Sequence, residues 1–438
     1  PPFTNHHRPR NIKGIEKENK IMTIANSVNK KVVIGKQSAQ GTIAATDLAT
    51  AQTLRFLKFN QGEEIENYKS AEMRPDKQVG DVNLGPKDCN GSLSGELSPA
   101  TYKDFLASLL RKAWATAGTI GPISDVTAAT TSGATGTFTT AAGKFIETGK
   151  FKVGDIVRWT GFAGGSATNN NNHNMMITAL TETVMTVLCL DGEAVVNDAS
   201  GDSVSCAIVG KKCWVPATSH TEDWWTVEQN YADLDLSEVF IDCKPSQASI
   251  KAQASGIPTI DINVLGLDVE MKSGASAPYF TAALGITTTE QCQMGNAVIL
   301  VNGTVQTLAT SISFEIKGNN KTLPAVISSQ VKPGISDGVV EVTGTVTMYF
   351  ESATIRDLFR AGTEVAIYAA FPISNSPTAD FIAFSLPACK LTGATKDGDQ
   401  EIVQTIPFQA KFNSAGDNGS TCTVNTLATT ISVQDTDA

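Results

Sequence analysis

The residues best equipped for chemistry are thinly scattered along this chain. Its four histidines are His6, His7, His173 and His220. A zinc site needs three or four His, Cys or carboxylate ligands at characteristic spacing. Two of these histidines lie in a polar N-terminal stretch and one in an asparagine run. His220 stands beside Thr221, Glu222 and Asp223, with Cys213 and Cys243 as its nearest co-ligand candidates, and reads as a surface or interface residue. Gly35-Lys36-Gln37-Ser38 resembles a phosphate loop only briefly. It lacks the first glycine at the right distance, and Gln stands where a metal-holding Ser or Thr belongs. No nucleophile elbow or HExxH pair is present. The carboxylates Glu63-Glu64 and Asp233, Asp235 sit at adjacent or alternating spacing, which suits a solvated strand face better than an acid/base pair. The sequence therefore predicts no catalytic residue, no cofactor and no metal ion, and so not an enzyme.

Cysteine usage agrees. The eight cysteines, Cys89, Cys189, Cys206, Cys213, Cys243, Cys292, Cys389 and Cys422, form no CxxC pair, and several have apolar neighbours. They read as buried free thiols of a protein made in a reducing cytoplasm.

Charge and composition narrow the class. A chain of 438 residues exceeds one ordinary hydrophobic core, so two or three domains are expected. Charged residues make up 18%, and Ser, Thr, Gly, Asn and Ala fill the difference, a mixture that favours short strands and polar turns. The formal net charge of -10 argues against a protein that grips nucleic acid by its phosphates, but not against a surface past which DNA slides. No stretch reaches membrane-spanning length without polar interruption. Residues 1–21 carry Arg8, Arg10, Lys13, Lys17 and Lys20 and read as an extension, with Met22 a plausible natural start.

Period-2 alternation predicts strands at Thr53 to Phe59, Thr259 to Leu265, Val339 to Phe350 and Ile402 to Phe412. Two segments read as helices. Pro99 to Trp114 has Ser98 as candidate N-cap and places Tyr102, Phe105, Leu106, Leu109 and Leu110 on one face; Ser352 to Ala361 carries Ile355, Leu358 and Phe359 and is closed by Gly362. Each helix follows a strand that opens on glycine, Gly91 or Gly344. Without gaps, Ala100-Thr101 aligns with Ala353-Thr354, and further on Cys243-Lys244 corresponds to Cys389-Lys390. The ordered set implies two copies of one strand-rich module with a single packed helix. The first copy is interrupted by a segment with its own strand signals and an asparagine-rich loop. The expected organisation is an N-terminal extension (1–29), module A (30–118 and 216–275), an inserted small β-barrel or Ig-like domain (119–215), a linker (276–295), module B (296–425) and a C-terminal tail (426–438).

Glu63 to Trp114 resembles the bacteriophage tail tube (major tail protein) family of long-tailed phages. The matching elements are Glu72 with Arg74-Pro75-Asp76-Lys77-Gln78-Val79, Gly91 to Ser98, the helix near Tyr102, and the early Lys36 to Thr42; Gly344 to Glu351 and Pro407 to Ala410 also fit. The resemblance covers roughly residues 34–116 and 222–425. It implies a mainly β fold of two tandem tail-tube-type β-sandwich modules, whose sheets join side by side into one barrel. It implies a virion protein of the tail, assembled in the host cytoplasm, that forms stacked rings around a channel for viral DNA. Three chains per ring would give pseudo-sixfold symmetry; six chains are the alternative. The partners implied are further copies of the chain, a tape-measure protein, tail terminator and baseplate or tail-tip proteins, and DNA in transit without specific binding. Glu63, Glu64, Glu66 and Glu315 are candidates for an acidic lumen, and Arg74, Pro75, Asp76 and Lys77 for a loop that touches the next ring. A β-sandwich adhesin or carbohydrate-binding protein is the competing reading.

Overall fold

The computed structural model describes residues 27–78, 80–116, 118–397, 401–418 and 422–438. The basic residues of the N-terminal extension, and Val79 of the Arg-Pro-Asp loop, lie outside them. The fold is mainly antiparallel β: two tandem sandwich modules, each with one helix, and an inserted β domain.

Module A comprises β1 (Lys30–Lys36), β2 (Lys58–Gln61), β3 (Glu64–Lys69), β4 (Val82–Asp88), β5 (Gly91–Glu96), the helix Lys103–Leu110, β6 (Trp225–Tyr231), β7 (Leu236–Gln253), β8 (Thr259–Leu265) and β9 (Asp268–Ser273). Module B comprises β10 (Ala309–Lys317), β11 (Glu341–Tyr349), the helix Thr354–Ala361, β12 (Glu364–Pro372), β13 (Phe381–Leu391), β14 (Thr395–Asp397) and β15 (Val403–Ala410). A C-terminal strand, β16 (Ser432–Asp435), follows.

One layer is continuous across both modules. Its strands run in the order β2-β5-β8-β7-β10-β11-β15-β14, each hydrogen-bonded to the next. The long strand β7 makes this possible. Its first half joins β6 and β9 in the second layer of module A, and its second half lies between β8 and β10. Alternation does the rest: Ile312, Phe314 and Ile316 of β10, and Ile260, Ile262 and Val264 of β8, are all buried, while the residues between them face away from the core. A single apolar core extends through both modules, with Phe105 edge-on to Trp225 in one and Phe314 edge-on to Phe384 in the other.

Close packing explains the equivalent glycines of the repeated strands, Gly91 and Gly344, although the second lies inside β11, which begins at Glu341, rather than at its start. A Cβ on Gly91 would lie 2.5 Å from the Asn60 carbonyl oxygen of the neighbouring strand. A Cβ on Gly344 would lie 2.5 Å from both the Phe408 ring and the Ser313 carbonyl oxygen.

Four sequence expectations are corrected. The first helix starts at Lys103 and is not capped by Ser98. Ala100 adopts φ 64°, and its N–H donates to the Asp435 carboxylate at 2.9 Å, so the chain turns before the helix begins. Thr53 to Phe59 is not one strand: Gln52–Thr53 pairs with β1, and the chain then crosses to the other layer, where β2 pairs with β5. Phe359 of the second helix is exposed, and Ile355 is the helix's buried residue. Residues 426–438 are no free tail, because β16 is buried and pairs with β13 on one side and Lys211–Trp214 on the other. That second pairing also takes Lys211–Trp214 out of the inserted domain.

The inserted domain is a seven-stranded antiparallel sheet from Thr119–Ile123 to Val204–Ile208, around its own aromatic core of Phe138, Phe145, Phe151, Trp159 and Phe162. It leaves module A but packs on module B: Ile156, Met176 and Leu190 meet Leu300, Tyr368 and Phe381. Two buried ion pairs, Lys152 with Asp417 and Lys212 with Asp155, tie the seam, and Gln434 Nε2 donates to the carbonyls of Ile156 and Val209 at 2.8 Å.

Candidate functional site

The continuous layer has one face in the core and one face turned out, and the outward face is built from hydroxyls and amides. β7 contributes Gln247, Ser249, Lys251 and Gln253; β10 contributes Ser311, Ser313, Glu315 and Lys317; β11 contributes Glu341, Thr343, Thr345 and Thr347. A shallow concavity of about 420 Å³ opens at its centre, lined by Ser249, Lys251, Ser313, Glu315, Thr345 and Gln409 among others. From β2 to β15 this face carries three lysines, Lys58, Lys251 and Lys317, against four carboxylates, Glu96, Asp261, Glu315 and Glu341.

Four of these seven charges are held in two ion pairs. Lys251 meets Asp261 at 2.9 Å and Lys317 meets Glu315 at 2.8 Å. Gln409 donates to Glu341 at 2.9 Å, Gln247 donates to Glu315, and the Ser313 and Thr345 hydroxyls are 2.9 Å apart. Burial works to raise the Asp261 carboxyl, but hydrogen bonds from Lys251 and Ser94, with the Lys251 charge, hold it below its ordinary value. The hydrogen bond and charge of Glu315 raise the Lys317 ammonium. The face is therefore polar, locally neutralised and without a reactive group. Among the described residues no cluster of three or more His, Cys, Asp or Glu is placed to hold a metal ion. The eight cysteines are buried, and burial pushes the Cys243 and Cys389 thiols up to about 12. His173 lies in the inserted domain, bonded through Nδ1 to Asp191 and through Nε2 to the Thr168 carbonyl.

The candidate acids fall in two places. Glu315 lies on the outward face of β10. Glu64 and Glu66 belong to the hairpin β3–β4, a separate two-stranded sheet that prolongs β2 and β5 beyond the layer, and Glu63 immediately precedes it. Glu63 is 3.4 Å from Lys87, and Glu66 accepts a hydrogen bond from the Tyr68 hydroxyl at 2.7 Å. Arg74, Pro75, Asp76 and Lys77 form the exposed turn beyond this hairpin. There Arg74 pairs with Asp76 at 3.2 Å, and Lys77, at φ 57°, donates its N–H to the Arg74 carbonyl. The hairpin also exposes Tyr68, Met73 and Leu84. The loop of module B that joins β10 to β11 runs beside it. Lys87 N–H donates to the Gln330 carbonyl, Lys332 pairs with Asp88, and Ile327 and Val339 are exposed. Sequence reasoning named none of the Ser, Thr and Gln residues of the outward face. The alternation that puts them on one side of a strand was legible, but which strands are neighbours was not.

Among the described residues no helix is long and apolar enough to cross a membrane.

A family model described as phage tail tube protein matches residues 27–410. No curated protein matches the sequence. Among solved structures, a match to the phage phi92 endosialidase covers 77% of this chain and 55% of that one, at 11% identity and a TM-score of 0.16. This chain thus spans about half of the endosialidase's length, and so low a TM-score carries no argument about shape or activity.

Proposed function

The chain belongs to the phage tail tube protein family and is a structural protein of the virion tail; on that premise we propose that its copies close into rings that stack around a channel conducting viral DNA. The observation that supports this reading most is the unbroken layer from β2 to β14, which already joins two modules edge to edge within one chain. A sheet that continues around an axis closes into a barrel and leaves no exposed edge. Three chains, each bringing two modules, would complete a ring with pseudo-sixfold symmetry. The polar outward face would line the channel, and its paired charges and hydroxyls would offer DNA neither a cationic grip nor an apolar one. Glu315, with Glu96, Asp261 and Glu341, would be a lining acid of the layer itself. Glu63, Glu64 and Glu66 would extend an acidic wall along the hairpin, whose turn at Arg74, Pro75, Asp76 and Lys77 would reach the adjacent ring. The inserted domain, docked on the far side of module B, would decorate the exterior. The tape-measure, terminator and baseplate or tail-tip proteins would set the tube's length and ends, and assembly would take place in the host cytoplasm.

Two sets of substitutions test the lining. Replacing Ser249, Thr345 and Thr405 by lysine should leave tubes intact but slow DNA ejection, more at low salt than at high. Charge reversal at Glu63, Glu64 and Glu66 should likewise spare ring formation and impair delivery. Unchanged ejection kinetics in both sets, in particles with normal tails, would mean that this face does not line the channel.

A further inference from the structure

The junction between the two modules offers a template for a contact that the chain makes with another copy of itself. The layer begins at β2, hydrogen-bonded to β5, and ends at β14, hydrogen-bonded to β15. Each end strand has an internal counterpart, and sheet register identifies it residue by residue. Asn60 faces Ser92 as Ser313 faces Thr345, where Ser92 and Thr345 are equivalent positions of the two glycine-led strands. Asn60 is therefore the counterpart of Ser313. At the other end, Lys244 faces Leu265 as Lys390 faces Gln409, and Lys251 faces Thr259 as Asp397 faces Val403. In both modules the outer strand gains one residue on its partner over this stretch, so Asp397 is the counterpart of Lys251.

Inside the chain, Lys251 faces Ser313 and Ile250 faces Phe314. We infer that β14 of one copy pairs antiparallel with β2 of the next in the same register, with Asp397 opposite Asn60 and Lys396 opposite Gln61. The inference rests on the ring reading above and gives it a specific interface between copies.

Three features of the end strands fit this pairing. The first of these strands, β2, is short, as edges of soluble sheets commonly are. Lys30 Nζ donates to the Phe59 carbonyl at 2.7 Å, guarding the edge of β2. The surfaces around the two ends differ in charge: a concavity of about 550 Å³ beside β2 is lined by Val28, Lys30, Lys31, Arg55, Leu57 and Lys58, while the β14 end exposes Glu351, Asp397 and Glu401 beside one lysine of the strand, Lys396. A one-sided, head-to-tail contact of this kind generates a ring when its rotation closes.

The register is testable by cross-linking. Gly62 N–H donates to the Asn90 carbonyl, and Ala254 N–H donates to the Thr310 carbonyl. Counting from these, the Lys251–Ser313 pair and its proposed equivalent Asp397–Asn60 are non-hydrogen-bonded pairs. Cα atoms in such pairs lie about 4.5 Å apart, within disulfide reach. The native cysteines are buried, so introduced thiols dominate mild oxidation. Rings of the N60C/D397C variant should convert mostly to covalent multimers on a non-reducing denaturing gel. N60C/K396C, whose thiols would point to opposite faces, should remain mostly monomeric. A mixture of N60C and D397C single variants should stop at covalent dimers, showing that the bond joins different chains. Intact tubes with no cross-link in N60C/D397C, or a stronger cross-link in N60C/K396C, would overturn this register and leave the tube reading standing. A wild-type chain that never forms rings or tubes, even with the other tail proteins present, would overturn both.

Discussion

Asp435 closes the end of the chain against the start of the first helix. Its carboxylate accepts the Ala100 N–H, yet burial dominates and raises its pKa from 3.8 to about 6. In the unfolded chain this carboxyl loses its proton near its ordinary value. The folded protein therefore holds a proton that the unfolded chain has released between those two pH values. Stability contributed by the group is full below the unfolded pKa, declines as pH rises toward 6, and levels off above it. Two units correspond to about 3 kcal/mol. Denaturant melts of wild type and Asp435→Asn should show the wild type losing about that much relative to the variant between pH 4 and pH 7; parallel pH profiles would contradict the assignment. The Lys152–Asp417 pair makes the opposite case, since its side chains are 3% and 4% exposed and each neutralises the other. Lys152→Met removes the charge that neutralises a buried carboxylate and should cost about 3–5 kcal/mol, with proteolysis at the seam between the inserted domain and module B as a second readout. Neither residue announced itself in the sequence, because both act on partners hundreds of positions away.

At the scale of elements, the repeated strands β5 and β11 show what the sequence made legible. Alternation over Val339 to Phe350 and over Ile402 to Phe412 marked strands and their buried sides, and the two glycine-led strands exposed the duplication. The reason for the glycine became visible only in the packing. Gly344→Ala would force a methyl group against the Ser313 carbonyl and the Phe408 ring. It should destabilise the chain by about 1–3 kcal/mol, measured as a lowered denaturation midpoint; a neutral result would mean that β10, β11 and β15 are not packed as described. Two features escaped sequence reasoning for physical reasons. The C-terminal strand β16 is only four residues long, and its pairing with β13 and Lys211–Trp214 is set by tertiary neighbours rather than by a local pattern. The outward face of the layer is a property of eight strands together, so charge could be read from single segments only as isolated acids. That is why Glu63, Glu64, Glu66 and Glu315 stood out as single acids, while Lys251, Asp261 and Lys317, which form ion pairs on the face, did not.

At the scale of the whole molecule, two modules and one inserted domain are organised around a single sheet that the chain begins and does not finish. The inserted domain departs from module A and docks on module B, with Tyr368 and Phe381 under it and Gln434 bridging the seam. This fixes the two modules relative to each other through a route separate from the β7–β10 junction. A rigid pair of modules suits a subunit whose curvature decides how many copies close a ring. The most direct measurement is electron microscopy of the purified protein over a concentration series, with the mass of any ring determined. The account predicts hollow rings or tubes with three chains, and therefore six modules, per ring. Rings of six chains would keep the tube but contradict the role given to the internal duplication, and a chain that stays monomeric under every condition, other tail proteins included, would contradict the account itself.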